Sequence, residues 1–193
     1  MKTLNSNSWN NRYLDDNTPW DAGSITTPLK EYVDQLAERD IKILIPGAGN
    51  AHEAEYLHQQ GFSNVFICDW AEKAIAVFLE RVLTFPENHA IAFDFFDLEP
   101  GYDLIIEQTF FCAIDPSLRD AYARKIKELL NPGGKLVGLL FKELPIPKGP
   151  PFGGTREEYL KLFRQYFGAV QIEPCHNSIP PRMGNELFIS ISA

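Results

Sequence analysis

From residue 41 onward the chain alternates apolar runs of strand length with longer segments of helical periodicity, which restricts it to few architectures. Residues 41–45, 65–68, 90–93, 103–107, 135–141, 170–172 and 187–191 read as strands. Helical segments fall at 51–60, closed by Gly61, at 71–83, at 116–130, stopped by Asn131-Pro132-Gly133-Gly134, and at 156–167. Ahead of them, residues 8–25 are polar and turn-rich but carry Trp9, Tyr13 and Trp20. Thr27 and Pro28 then suit the cap and first position of a helix with Leu29, Val33 and Leu36 on one face.

Strands and helices in turn favour parallel pairing, because each crossover helix returns the chain to the same end of the sheet. The last two strands have no helix between them, which points to an antiparallel hairpin at one edge. The expected fold is α/β: a single domain over residues 1–193, Rossmann-like and doubly wound. Its seven-stranded sheet is mostly parallel with an antiparallel edge strand, and helices cover both faces. Ligands of such folds bind at the carboxyl ends of the strands, where the strand order reverses.

With 26 acidic and 18 basic residues the net charge is −8, so general nucleic-acid binding would need a local basic stripe. The densest basic group, Arg119, Arg124, Lys125 and Lys127, reads as the solvated face of a helix. Cys68, Cys112 and Cys175 are too scattered for a disulfide framework or a zinc site and suit a reducing compartment. With no signal peptide and no run long enough to span a membrane, the expectation is a cytoplasmic monomer that acts on a small molecule.

The chemistry concentrates at Ile45-Pro46-Gly47-Ala48-Gly49, a glycine turn leaving one strand and entering a helix. Glycine permits the tight turn and lets a ligand approach the backbone. Asp69 ends the next strand, about twenty residues on, where a carboxylate can accept from both hydroxyls of a ribose. The turn continues Asn50-Ala51-His52 and lacks the third glycine that a pyrophosphate cofactor exploits. S-adenosylmethionine has no phosphate and does not need it. In Phe93-Asp94-Phe95-Phe96 an acid can accept from an adenine amino group and an aromatic ring can stack on the base. The strand at 103–107 delivers Glu107, Gln108 and Thr109 to the same rim.

These residues resemble the thiopurine S-methyltransferase superfamily, and within it the halide and thiol methyltransferase branch known from plants. The likeness runs through Thr18-Pro19-Trp20-Asp21, the glycine turn, Phe110-Phe111-Cys112-Ala113-Ile114 and Leu130-Asn131-Pro132-Gly133-Gly134. It continues in Gly149-Pro150-Pro151-Phe152 and in Ile179-Pro180 with Arg182 and Gly184. The resemblance implies S-adenosylmethionine as methyl donor, S-adenosylhomocysteine as product and a small soft nucleophile as acceptor. It further implies that Trp9, Trp20, Gly47, Ala48, Gly49, Asp69, Trp70, Asp94, Phe95 and Glu107 contact the cofactor, residues 1–28 forming a lid segment over it. Gln108, Phe111 and Arg182 would act at the reacting centre, with Phe111, Pro151, Phe152 and Arg182 bordering the acceptor pocket. The plant branch has tyrosine at the position of Gln108, so this pocket is more polar there.

Methyl transfer from a sulfonium needs alignment and a desolvated nucleophile more than acid–base help. Residues 9–20 and the loop 148–154 are the candidate lids. His52 is placed to touch the cofactor carboxylate or cap its helix, His58 and His89 read as surface, and His176 is a solvated loop residue with the option of a weak base. Cys112, among phenylalanines, reads as packed. Two other functions share these residues. An NAD-dependent oxidoreductase is disfavoured by the missing glycine, and a silent binding module by the intact Gly47, Gly49, Asp69 and Glu107. No metal-ligand cluster is expected.

Overall fold

The structure, a computed structural model, describes residues 5–142, 144 and 149–193. Seven strands form one sheet: β1 (Ile43–Pro46), β2 (Val65–Asp69), β3 (Ala90–Ala92), β4 (Tyr102–Gln108), β5 (Leu130–Phe141), β6 (Ala169–Pro174) and β7 (Glu186–Ser192). Their order is β3-β2-β1-β4-β5-β7-β6. Strands β1 to β5 run parallel, and β7 is antiparallel to both β5 and β6. The antiparallel strand therefore sits one place in from the edge, held between its two neighbours.

The period-two pattern explains the two layers. Ile43, Ile45, Leu104, Ile106 and Val137 face one side, while Leu44, Ile105, Leu136 and Leu140 face the other. The first side is covered by α2 (Thr27–Asp34), α3 (His52–Gln59) and α4 (Glu72–Arg81), through Leu29, Val33, Leu57 and Phe78. The second is covered by α5 (Arg119–Leu129) and α6 (Arg156–Phe163), through Tyr122, Ile126, Leu129, Tyr159 and Phe163. Each such fully buried side chain contributes about 1.5–3 kcal/mol by leaving water.

Three local differences from the sequence reading have physical causes. Residues expected to be turn-rich form helix α1 (Ser6–Leu14), capped by the Asn5 side chain accepting from Ser8 N at 3.0 Å. Helix α5 ends at Leu129, just before the Asn-Pro-Gly-Gly segment, but that segment is itself already part of β5, with a register shift opposite Tyr102 and Leu104. Asp103 anchors that irregularity, accepting from Asn131 Nδ2 at 2.7 Å and Lys42 N at 2.8 Å. The basic group on α5 is not wholly solvated. Lys125 is buried and paired with Glu128 at 2.7 Å. Arg119 lies over the rings of Phe111 and Tyr159.

Candidate active site

Strand order reverses between β1 and β4, so the chain leaves their carboxyl ends in opposite directions and opens a crevice there. Gly47 and Gly49 both have φ of +56°, which an L side chain resists. A Cβ at Gly47 would lie 2.3 Å from the Phe110 ring, and one at Gly49 would lie 3.0 Å from the Tyr13 hydroxyl. Asp69 closes the turn from the next strand: its Oδ2 accepts from Gly49 N at 2.9 Å and its Oδ1 from Ala71 N at 2.8 Å. Burial raises the Asp69 carboxyl above its ordinary range, and these backbone donors offset only part of the rise. The cleft that results is bounded by the glycine turn, His52, Glu53, Gln108, Thr109 and the loop Trp20–Ser24.

The amino-terminal segment lies across this cleft. Trp20 is met edge-on by Trp9 at 5.4 Å and by Tyr13 at 5.9 Å, with the Arg12 guanidinium over both tryptophans. Helix α1 docks on α4, and Asn10 Oδ1 accepts from Lys73 N at 2.9 Å, satisfying a free amide of the α4 amino end. The loop after Trp20 is tied directly to the glycine turn. Asp21 receives Asn50 Nδ2 at 2.5 Å and pairs with His52 Nε2 at 2.7 Å. Burial alone would raise Asp21, yet the hydrogen bonds from Gly23, Asn50 and His52 outweigh it and hold the carboxyl below its ordinary range. Arg182 reaches the same segment from the far side of the sheet's end, donating to the Trp20 carbonyl at 2.6 Å and to Glu186 Oε1 at 3.5 Å.

Glu107 corrects an expectation. Rather than a rim acid facing the cofactor, it is a fully buried one. Its Oε1 accepts from Phe110 N and Phe111 N, each at 2.8 Å, and its Oε2 is 2.6 Å from the Tyr122 hydroxyl. The reason lies opposite, in β5. Gly138 pairs with Glu107, and a Cβ there would lie 2.6 Å from that of Glu107. The missing side chain leaves room for the carboxyl to turn inward, where it holds the turn that presents Gln108 and Thr109. Gln108 stays at the cleft, its Oε1 accepting from the Thr26 hydroxyl at 3.1 Å.

Phe111 likewise belongs to the core, against Tyr122, Tyr159 and Phe163, rather than to the cleft wall. Phe95 is also core, stacked on Tyr122 at 5.4 Å, and the aromatic of that run left open is Phe93. Phe93 and Trp70 are 48% and 42% exposed beside Asp69, and Phe93 N donates to the Asp69 carbonyl at 3.1 Å. Asp94 caps the short turn Phe95–Asp97 by accepting from Phe96 N at 2.9 Å. The loop bearing Pro151 and Phe152 docks behind the cleft: Phe152 N donates to the Cys112 carbonyl, and Arg119 donates to the carbonyls of Phe152 and Gly153. Lys148, at the start of the expected lid 148–154, lies outside the described residues.

Of the histidines, His52 meets Asp21, and His176 is exposed. His58 and His89 are half-buried rather than superficial: His58 bonds Thr84, and His89 stacks on Phe66 at 4.0 Å. All three cysteines are buried and free, and burial pushes the Cys68 thiol up to about 12. Among the described residues no cluster of His, Cys, Asp and Glu is placed to hold a metal, and no helix is long and apolar enough to cross a membrane. Asp21 and Glu53, to which the sequence patterns assign no role, also line the cleft. Asp21 carried a signal, since it directly follows Trp20 in a matched segment.

Comparison with known proteins covers nearly the whole chain. The family model described as Thiopurine S-methyltransferase matches residues 4–186. A thiocyanate methyltransferase 1 from Arabidopsis thaliana is 32% identical over 193 residues, covering 96% of this chain and 84% of its own. A probable thiol methyltransferase 2 from the same plant is 30% identical with the same coverage. Among solved structures, the Burkholderia thailandensis 1,6-didemethyltoxoflavin-N1-methyltransferase with bound S-adenosylhomocysteine aligns with TM-score 0.73 over 97% of this chain and 85% of its own, at 18% identity.

Proposed function

The chain belongs to the thiopurine S-methyltransferase family and is an S-adenosylmethionine-dependent methyltransferase, and we propose that it methylates a small soft nucleophile such as a thiol, bisulfide, halide or thiopurine-like sulfur. It does so by in-line displacement at a cleft that this chain lines with its own glycine turn, Gln108 and Trp20 loop. The three buried, free cysteines suit a reducing, cytoplasmic setting. The observation that carries the reading is the convergence of the Gly47–Gly49 turn, Asp69 and Gln108 beneath the Trp20 loop. The NAD-dependent alternative is set aside by the family match.

The residues present fit the cofactor. The turn at Gly47 and Gly49 offers backbone without side chains, and Asp69 stands at its rim as an acceptor for ribose hydroxyls. Trp70 and Phe93 leave apolar faces beside Asp69 for the adenine. When bound, the cofactor supplies an already activated methyl group. The protein's share is positioning and exclusion of water, for which alignment of two reactants lowers a barrier by about 7–11 kcal/mol in favourable cases. Trp9, Tyr13 and Trp20 form the cover over that site, and Arg182 and Asp21 fasten it.

Two measurements test this reading. In a screen with methyl-labelled S-adenosylmethionine against iodide, bisulfide, aromatic thiols and thiopurines, label passes to at least one sulfur acceptor; silence across the panel overturns the acceptor class. Deleting residues 1–17 removes α1, which contains no fully buried residue, so the fold is kept with a small fall in melting temperature from the lost Asn10 cap, while turnover falls by roughly tenfold or more as water enters. An undiminished rate would remove the lid role.

A further inference from the structure

The cleft contains one carboxyl that neither the fold nor the cofactor site employs. Glu53 lies in the first turn of α3, on the wall shared with Gly47, Gly49 and Gln108. It is 7% exposed, and its carboxyl is met by its own backbone N–H and by no other hydrogen-bonding group among the described residues. Burying an acid with so little compensation is costly, which makes its retention at a reacting cleft informative. Burial raises it above the ordinary carboxylate range; His52 and Arg182 pull the other way and Asp21 adds to the rise. An acid whose proton affinity is raised in this way is a better proton acceptor than an exposed carboxylate.

The surrounding charges also select the acceptor. Arg182, the cation that an anionic acceptor would seek, is already committed to the Trp20 carbonyl and to buried Glu186. Asp21 and Glu53 give the wall negative charge, paired in part by His52. A halide or thiocyanate ion entering here meets acidic groups and no free cation among the described lining residues.

We propose that Glu53 is the general base for an acceptor that binds as a neutral thiol, and that anionic acceptors are the poorer substrates. This rests on the acceptor class proposed above. As the thiol sulfur forms its bond to the methyl carbon, the S–H proton passes to the Glu53 carboxylate. The carbon–sulfonium bond breaks with its electron pair left on the departing thioether, and Glu53 returns the proton to solvent.

The test compares the full chain with Glu53→Gln on 2-mercaptoethanol, protonated at pH 7, on 4-nitrothiophenol, ionised there, and on iodide. The variant loses about a hundredfold in kcat/KM with the protonated thiol and at most a few-fold with the ionised one. Its affinity for S-adenosylhomocysteine by calorimetry stays within about twofold, because a base for the acceptor holds no part of the cofactor. In infrared spectra of the wild type minus the variant, a carboxyl band titrates above the ordinary carboxylate range. Glu53→Asp, which keeps the carboxyl but withdraws it by one methylene, loses less than Glu53→Gln with the protonated thiol. Equal losses with both thiols would overturn the base role, and weakened cofactor affinity would assign the carboxyl to the cofactor instead. Faster wild-type transfer to iodide than to 2-mercaptoethanol would overturn the acceptor preference. Wild-type silence on all three, with S-adenosylhomocysteine still bound, would overturn the underlying acceptor class and this inference with it.

Discussion

Asp69→Ala is expected to weaken S-adenosylhomocysteine binding by two to four orders of magnitude in calorimetry. A hydrogen bond to a charged acceptor contributes about 1.5–3 kcal/mol, and an acid at this position serves two ribose hydroxyls, so about 3–6 kcal/mol is at stake. The same carboxyl receives Gly49 N and Ala71 N, and its removal also leaves the glycine turn without its tie to β2. Asp69→Asn separates the two effects, since its amide oxygen can still accept one of those backbone donors while the charge is lost. Its affinity should fall between wild type and Asp69→Ala. Folding should suffer less than binding, because burial already disfavours the ionised carboxyl and offsets part of what its hydrogen bonds contribute. Cofactor affinity unchanged in Asp69→Ala would end the ribose assignment.

Asp69 and the glycine turn were legible in the sequence because both depend on local chain geometry: a strand end, a positive φ, a fixed spacing. The strands were legible for the same reason, each being an apolar run bounded by turn residues. Helix α1 was not, because it buries no residue, and its docking comes from Trp9, Tyr13 and Asn10 meeting parts of the chain far away in sequence. Glu107 shows the limit more sharply. An acid at a strand's end points outward or inward according to the residue opposite, and the pairing of Glu107 with Gly138 is a matter of register between two strands. Glu53 was hidden by its ordinariness, since an acid in a helix's first turn is usually there for the dipole. Phe95, expected at the cofactor, is buried instead because the short turn Phe95–Asp97 soon after β3 stacks it on Tyr122 and leaves Phe93 as the exposed ring of that run.

The inward turn of Glu107 has a measurable consequence for stability. Burial pushes its carboxyl up to about 7 from an ordinary 4.5, with the Tyr122 hydroxyl and the amides of Phe111 and Phe110 pulling it back down. The folded protein thus holds a proton between those values that the unfolded chain releases, so this residue's contribution is complete below about 4.5 and is lost as pH rises through about 7. The difference corresponds to about 3 kcal/mol. Glu107→Gln offers the same hydrogen-bonding pattern without a charge: its oxygen accepts from Phe110 N and Phe111 N, and its amide donates to the Tyr122 hydroxyl. Urea unfolding of both proteins from pH 4.5 to 8 should therefore show the variant gaining on the wild type by about 3 kcal/mol across that range. The groups common to both, including Asp69 and Glu186, cancel in the difference. Curves that stay parallel would mean that Glu107 is ionised in the fold at no cost, and the turn carrying Gln108 would then be held by a buried charge rather than by a neutral acid.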